Sequence, residues 1–209
     1  MIYSKRIEHD RIFLEYLDFV RGKVAYYQPL IEERTGLDLG KIGVKESHKL
    51  LEDKLKYWLN DEEIPLWLRL MLLPFTMVLS NQKIKSTILA IKFKENIYIP
   101  EDNYSINILK DELSGKKQET DQIVVHELTH EVWFGLGGNK SDKEMIQEGY
   151  ALYGEMNWFE DFYPSGKHSL KNLPPIEDLR YKQEIEQLVK LHGEQILFDI
   201  PRDWKEYLE

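Results

Sequence analysis

The chain has 209 residues, no cysteine and a formal net charge of -9, with 42% hydrophobic and 12% aromatic residues. That length is enough to bury a sizeable core in one domain or two small ones, and the apolar share excludes a disordered chain. Without cysteine there are no disulfides or thiolate ligands, so any metal must be held by His, Asp or Glu, and the acidic balance argues against a nucleic-acid partner, which needs a basic face.

The opening segment, MIYSKRIEHDRIFLEYL, carries charges every few residues and no apolar run of the signal-peptide type. The first third reads as helical. Ile7, Phe13, Leu14, Leu17, Val20, Val24 and Tyr27 recur at roughly helical spacing from Ile7 to Ile31, and RTGLDLGKIG then breaks the pattern. A second helix is expected from about Glu46 to Leu59, burying Leu50, Leu51, Leu55 and Trp58. Pro65 suits the first turn of a third helix, which Pro74 interrupts. The apolar run from 64 to 79 contains Arg69 and two prolines and falls short of the roughly 20 residues that span a bilayer. It reads as a core helix, and the expectation is a cytoplasmic protein with no membrane partner.

The texture changes at about Lys83. STILAIKFKENIYIP is rich in β-branched and aromatic residues with a turn-like KEN, so it reads as a β-hairpin closed by Pro100. EDNYSINILKDELSGKKQET reads as a polar loop with some short structure. Thr120 or Asp121 is the expected cap of a helix ending at Gly135. GLGGNK forms a joint, and Ser141 to Glu144 has the pattern of a capping box opening a helix from about Asp142 to Phe159. An irregular stretch, a helix over Ile176–His192 and a short tail complete the chain. The expected fold class is α+β, mainly helical with a small β-sheet, divided into an N-terminal helical region, 1–82, and a second region, 83–209.

The chemistry concentrates in IVVHELTHEVWF, residues 123–134. On a helix, His126 and His130 lie on one face and can present ring nitrogens to one point, as zinc requires. Glu127 is rotated about 100° from His126, a poor place for a ligand but a good one for reaching a water beside the metal. A third ligand is therefore needed. If the next helix turns back antiparallel, Glu148 lies beside the histidines, flanked by Gly149, whose missing side chain permits close helix approach.

HELTH, followed by the glutamate of QEGYALYGE, resembles the gluzincin zinc metallopeptidases, and the short length is similar to the small members called minigluzincins. The resemblance covers roughly residues 84–160. It implies a zincin-like metallopeptidase core, with Zn²⁺ on His126, His130 and Glu148, Glu127 as general base, and a peptide or protein as substrate. It also implies that Glu155 supports a ligand histidine, and that NIYIP is an edge strand taking an extended peptide by β-addition. The chain departs from the pattern at Glu131, where the family usually has an uncharged residue, and it lacks the aminopeptidase motif for a free amino terminus. Tyr163, His168, Tyr181, His192 and Tyr207 are all candidates for stabilising an oxyanion, whereas Tyr150 and Tyr153 read as packing. The alternatives are a latent, zymogen-like form blocked by the C-terminal tail, and a non-catalytic helical interaction protein cross-linked by zinc.

Overall fold

A computed structural model describes residues 2–47, 49–50, 53, 91–93, 96–101, 104–117, 119–139, 143–163 and 176–208. The expected helix over 64–79, most of the predicted second helix and the expected boundary at 82/83 lie outside the described residues. The chain separates into two compact units: Met1–Phe19 with Ile42–Lys116, and Val20–Lys41 with Lys117–Glu209. The first helix contributes to both units.

That helix, α1, spans Ile2–Thr35. Its buried residues, Ile12, Tyr16, Val20, Val24, Tyr27 and Ile31, step by three or four along one stripe, joined by Phe13 and Leu17. Ile7 and Leu14, expected on this stripe, are exposed at 58% and 54%. Leu14 is two residues on from Ile12, which turns it about 200° away from the core. The helix stops where Gly36 takes a positive φ of 70°, as the sequence predicts.

In the first unit, β1 (Gly43–Glu46), β2 (Ile91–Phe93) and β3 (Asn96–Ile99) form a sheet in the order β1-β3-β2. The predicted hairpin is present as the antiparallel pair β2–β3, with Phe93 opposite Asn96. β1 is unexpected. It pairs parallel with β3, Gly43 opposite Asn96 and Glu46 opposite Ile99, so Glu46 ends a strand where a helix was expected to begin. This makes β3 a central strand rather than the expected edge: both its sides are already hydrogen-bonded, and no open side is left for β-addition by a peptide. Its Ile97, Tyr98 and Ile99 are fully buried. The segment read as a polar loop contains α2 (Ile106–Leu113), whose Ser105 side chain caps Ile108 N–H and whose Leu109 is buried. Eight residues give too few turns for periodicity to register.

The second unit is helical: α3 (Glu119–Gly135), α4 (Glu144–Tyr153), α5 (Ile176–His192) and α6 (Ile196–Leu208). α3 ends at Gly135 as expected, but it starts before Thr120 and Asp121, which lie inside its first turn rather than capping it. Asp121 is buried and pairs with Lys23 at 2.6 Å. α4 begins after Lys143, with no side-chain cap; Ser141 and Asp142, the expected capping residues, lie outside the described ones. It continues through a π-helical turn, Gly154–Trp158, and a 3-10 turn, Glu160–Phe162. α5 has the predicted bounds. The expected short tail is instead α6, kinked at Asp203, with Ile196, Ile200, Trp204 and Leu208 buried at every fourth position beside Leu197. The Tyr150 hydroxyl donates to Leu197 O at 2.9 Å, which fixes Tyr150 as a packing residue, as expected. No described helix is long and apolar enough to cross a membrane.

Gly149 and Gly154 set how closely these helices pack. A Cβ on Gly149 would meet Tyr181 Cβ at 2.5 Å, Lys182 N at 3.0 Å and Asp178 O at 3.1 Å, so the close approach it permits is to α5 rather than to the histidine helix. Gly154 takes that part toward α3, where a Cβ would overlap the Thr129 side chain. Gly149→Ala is expected to destabilise the protein by about 1–3 kcal/mol, because helix backbone cannot yield as a flexible side chain end can. That exceeds the roughly 1 kcal/mol alanine gains over glycine in a helix. An unchanged denaturation midpoint would contradict this packing.

Candidate metal centre

α3 is buried on most of its circumference: Val124, Val125, Leu128, Val132 and Trp133 are inaccessible. His126 and His130 are one turn apart on this helix, their rings edge to face with centroids 5.0 Å apart. His126 meets Glu155 and His130 meets Glu148, an order that makes α4 and its π-helical extension antiparallel to α3. The expected antiparallel return is therefore present, and it carries Glu148 to the histidines.

The donor atoms converge. His126 Nε2 lies 3.1 Å from Glu148 Oε2, and His130 Nε2 lies 3.4 Å from Glu148 Oε1. Ligands at about 2.0–2.1 Å from a tetrahedral zinc sit about 3.3 Å from one another. The two histidine–carboxylate separations are therefore close to the length of a tetrahedral edge. Among the described residues, one ligand atom from each of His126, His130 and Glu148 lies within 4.8 Å of the other two, and neutral or anionic N and O donors fit zinc.

Glu155 sits behind the cluster, buried, with Oε2 3.3 Å from His126 Nδ1. A carboxylate accepting the Nδ1 proton fixes the tautomer and leaves the Nε2 lone pair for a metal. The π-helical turn carrying Glu155 is held from α1: Arg34 donates to Trp158 O and, with both terminal nitrogens, to Asp161, while its guanidinium lies 4.3 Å from the Phe162 ring centre. Sequence reading missed Arg34, since nothing in its spacing links position 34 to 158 and 161.

The electrostatics follow from this packing. Burial disfavours the His126 imidazolium, but the Glu148 and Glu155 carboxylates outweigh that and raise its pKa well above the ordinary value. Burial likewise opposes the Glu148 carboxylate, yet hydrogen bonds and charge from His126 and His130 hold its pKa far below the usual range.

Glu127, one residue past His126, is buried at 7% exposure. Glu131 is partly exposed. The aromatic candidates separate by environment. Tyr181 is packed against Gly149, and His192 is exposed at the end of α5. Tyr153 is buried, in keeping with packing. The Tyr163 ring lies tilted against that of Tyr27, centroids 6.1 Å apart, and its pKa is raised by burial and by Glu155. Tyr207 is partly exposed near the end of α6, and His168 lies outside the described residues. Comparison with protein-family models, with curated proteins and with solved structures finds no match for this chain.

Proposed function

We propose that the chain is a zinc-dependent hydrolase of peptide bonds, of the gluzincin type that the sequence resembles. The observation that carries this reading is the convergence of His126 Nε2 and His130 Nε2 on the Glu148 carboxylate, at 3.1 and 3.4 Å, with Glu127 next to the first histidine on the same helix. Structural zinc sites are normally closed by four protein ligands, whereas the set among the described residues has three and leaves a position for water or substrate.

Zinc bound here supplies Lewis acidity, polarising a carbonyl and making an adjacent water acidic near neutral pH. The residues supply the rest. His126, His130 and Glu148 hold the ion with only one negative charge, so the centre keeps a net positive charge toward an electron-rich carbonyl. Glu127 is the general base: it takes the proton from the attacking water and later delivers it to the leaving amine. Glu155 keeps the His126 ring oriented, and Arg34 keeps the turn that bears Glu155 in place.

The test is hydrolysis of a mixed peptide pool by the full chain. Cleavage is expected to stop with chelator and to return with zinc. A zinc-loaded protein that cleaves nothing in such a pool would count against the peptidase reading, and one that takes up no zinc would remove its basis. Glu155→Gln is expected to weaken zinc binding by about 10–100-fold while leaving the fold intact, the usual cost of losing a partner behind a metal ligand. Competition titration with a zinc chromophore reads this directly; unchanged affinity would reduce Glu155 to a packing residue.

A further inference from the structure

The histidine helix and the turn that bears Glu155 are both held from α1, a helix that contributes no ligand to the cluster. We propose, resting on the zinc reading of His126, that one face of α1 is a positioning surface. Through Lys23, Tyr27 and Arg34 it sets how the Glu155 carboxylate meets the His126 ring. All the residues concerned belong to the second unit, which combines Val20–Lys41 with Lys117–Glu209.

Lys23, Tyr27 and Arg34 follow one another at intervals of four and seven residues. That places them within about 40° of one another around the helix and over about 16 Å along it. At one end, Lys23 Nζ lies 2.6 Å from Asp121 Oδ1, and the Tyr27 hydroxyl donates to the same carboxylate. Asp121 is buried in the first turn of α3, so these contacts fix the start of the histidine helix. At the other end, Arg34 donates to Trp158 O and, at 2.7 and 2.6 Å, to the two carboxylate oxygens of Asp161. Between them the Tyr27 ring lies against that of Tyr163, the residue after the 3-10 turn, whose hydroxyl feels the charges of both Glu155 and Asp121.

Glu155 sits in the π-helical turn, which Phe159 N–H closes by donating to Gly154 O at 2.9 Å, and its Oε2 is 3.3 Å from His126 Nδ1. A π turn is rare, and a helix exit leaves carbonyls without helical partners, so the register of this turn depends on contacts from outside. Arg34 supplies one at Trp158 O, the last residue of the turn. The ring and the carboxylate thus sit on two separate elements, and α1 grips both. The spacing of its anchors sets their separation, and at 3.3 Å small displacements decide whether Nδ1 shares its proton with Glu155. Without that hold the ring is free to turn, and Nε2 presents itself less well to a metal.

The test is a double-mutant cycle on the full-length chain, with Co²⁺ affinity read by visible absorption. Arg34→Ala is expected to weaken Co²⁺ by about 3–10-fold, a fraction of the roughly 10–100-fold that a partner of a metal ligand is worth. In a Glu155→Gln background the same change is expected to cost less than about twofold, because the group it acts through is gone. Arg34→Lys keeps the charge but cannot reach Trp158 O and both Asp161 oxygens together, so it gives an intermediate loss and serves if Arg34→Ala fails to fold. Val24→Ala, which truncates a buried residue on the same helix, is expected to lower stability and leave Co²⁺ affinity unchanged. Equal losses from Arg34→Ala in both backgrounds, or a like loss from Val24→Ala, overturn the positioning role. The metal-free chain supplies a second readout, the His126 Nδ1–H proton resonance in isotope-labelled protein. It is expected downfield in the wild type, absent in Glu155→Gln and moved upfield in Arg34→Ala; no movement in Arg34→Ala overturns the proposal. A wild type that shows this pattern but takes up no metal keeps the positioning role and removes the metal centre of the proposed hydrolase.

Discussion

Glu148→Ala is expected to lose zinc by more than about 100-fold in affinity, beyond the range for residues that only support a ligand. Two histidines on one helix turn remain, and they provide nitrogen donors without the oxygen that closes the triangle. The charge changes as well. Glu148 is the carboxylate common to both rings, at 3.1 Å from His126 Nε2 and 3.4 Å from His130 Nε2. Removing it leaves the two imidazoles to repel one another when protonated and leaves a divalent ion with no neutralising ligand. Glu148 itself is about one-third exposed, so its truncation opens no core cavity and the fold should persist. Chelator competition on the folded variant reads the affinity. Near-wild-type zinc binding would mean that Glu148 is not a ligand, and the two-helix site would be wrong.

The second large effect separates chemistry from metal binding. Glu127→Gln is expected to keep zinc affinity within a few-fold and to reduce peptide hydrolysis by about 10²–10⁴-fold or more, the usual contribution of a positioned acid–base group. The substitution preserves side-chain shape, which matters because Glu127 is buried among packed α3 residues. It removes only the ability to take up and release a proton. Metal content and turnover measured on the same preparation make the comparison. Loss of zinc together with activity would assign Glu127 to the metal or to the fold; full activity would remove it from the mechanism.

Local pattern carried part of this structure. Periodicity gave the stripe of α1 from Phe13 to Tyr27, the whole of α5 and the end of α3 at Gly135. It erred where one end of a pattern was unsupported, as at Ile7 and Leu14 on the exposed side of α1. It missed α6, although Ile196, Ile200, Trp204 and Leu208 recur every four residues, because Pro201 in their midst reads as a breaker. β1 was invisible for a different reason: four residues have no periodicity, and their pairing with β3 joins positions about fifty apart in the chain.

For the metal centre, HExxH by itself determined that two nitrogens and one carboxylate share a helix, because helical geometry is local and 3.6 residues make a turn. The residue types around Glu148 suggested the third donor. Only the tertiary structure decided that Glu148 reaches both rings and Glu155 backs His126, and that Arg34, far away in sequence, clamps the turn between them. It also decided that Gly149 faces α5 while Gly154 faces α3, and that β3 is enclosed by strands on both sides. A sequence fixes which face of its own helix a side chain occupies. Which partner that face meets depends on the packing of whole helices, where overlaps of a few ångströms at single glycines set the register.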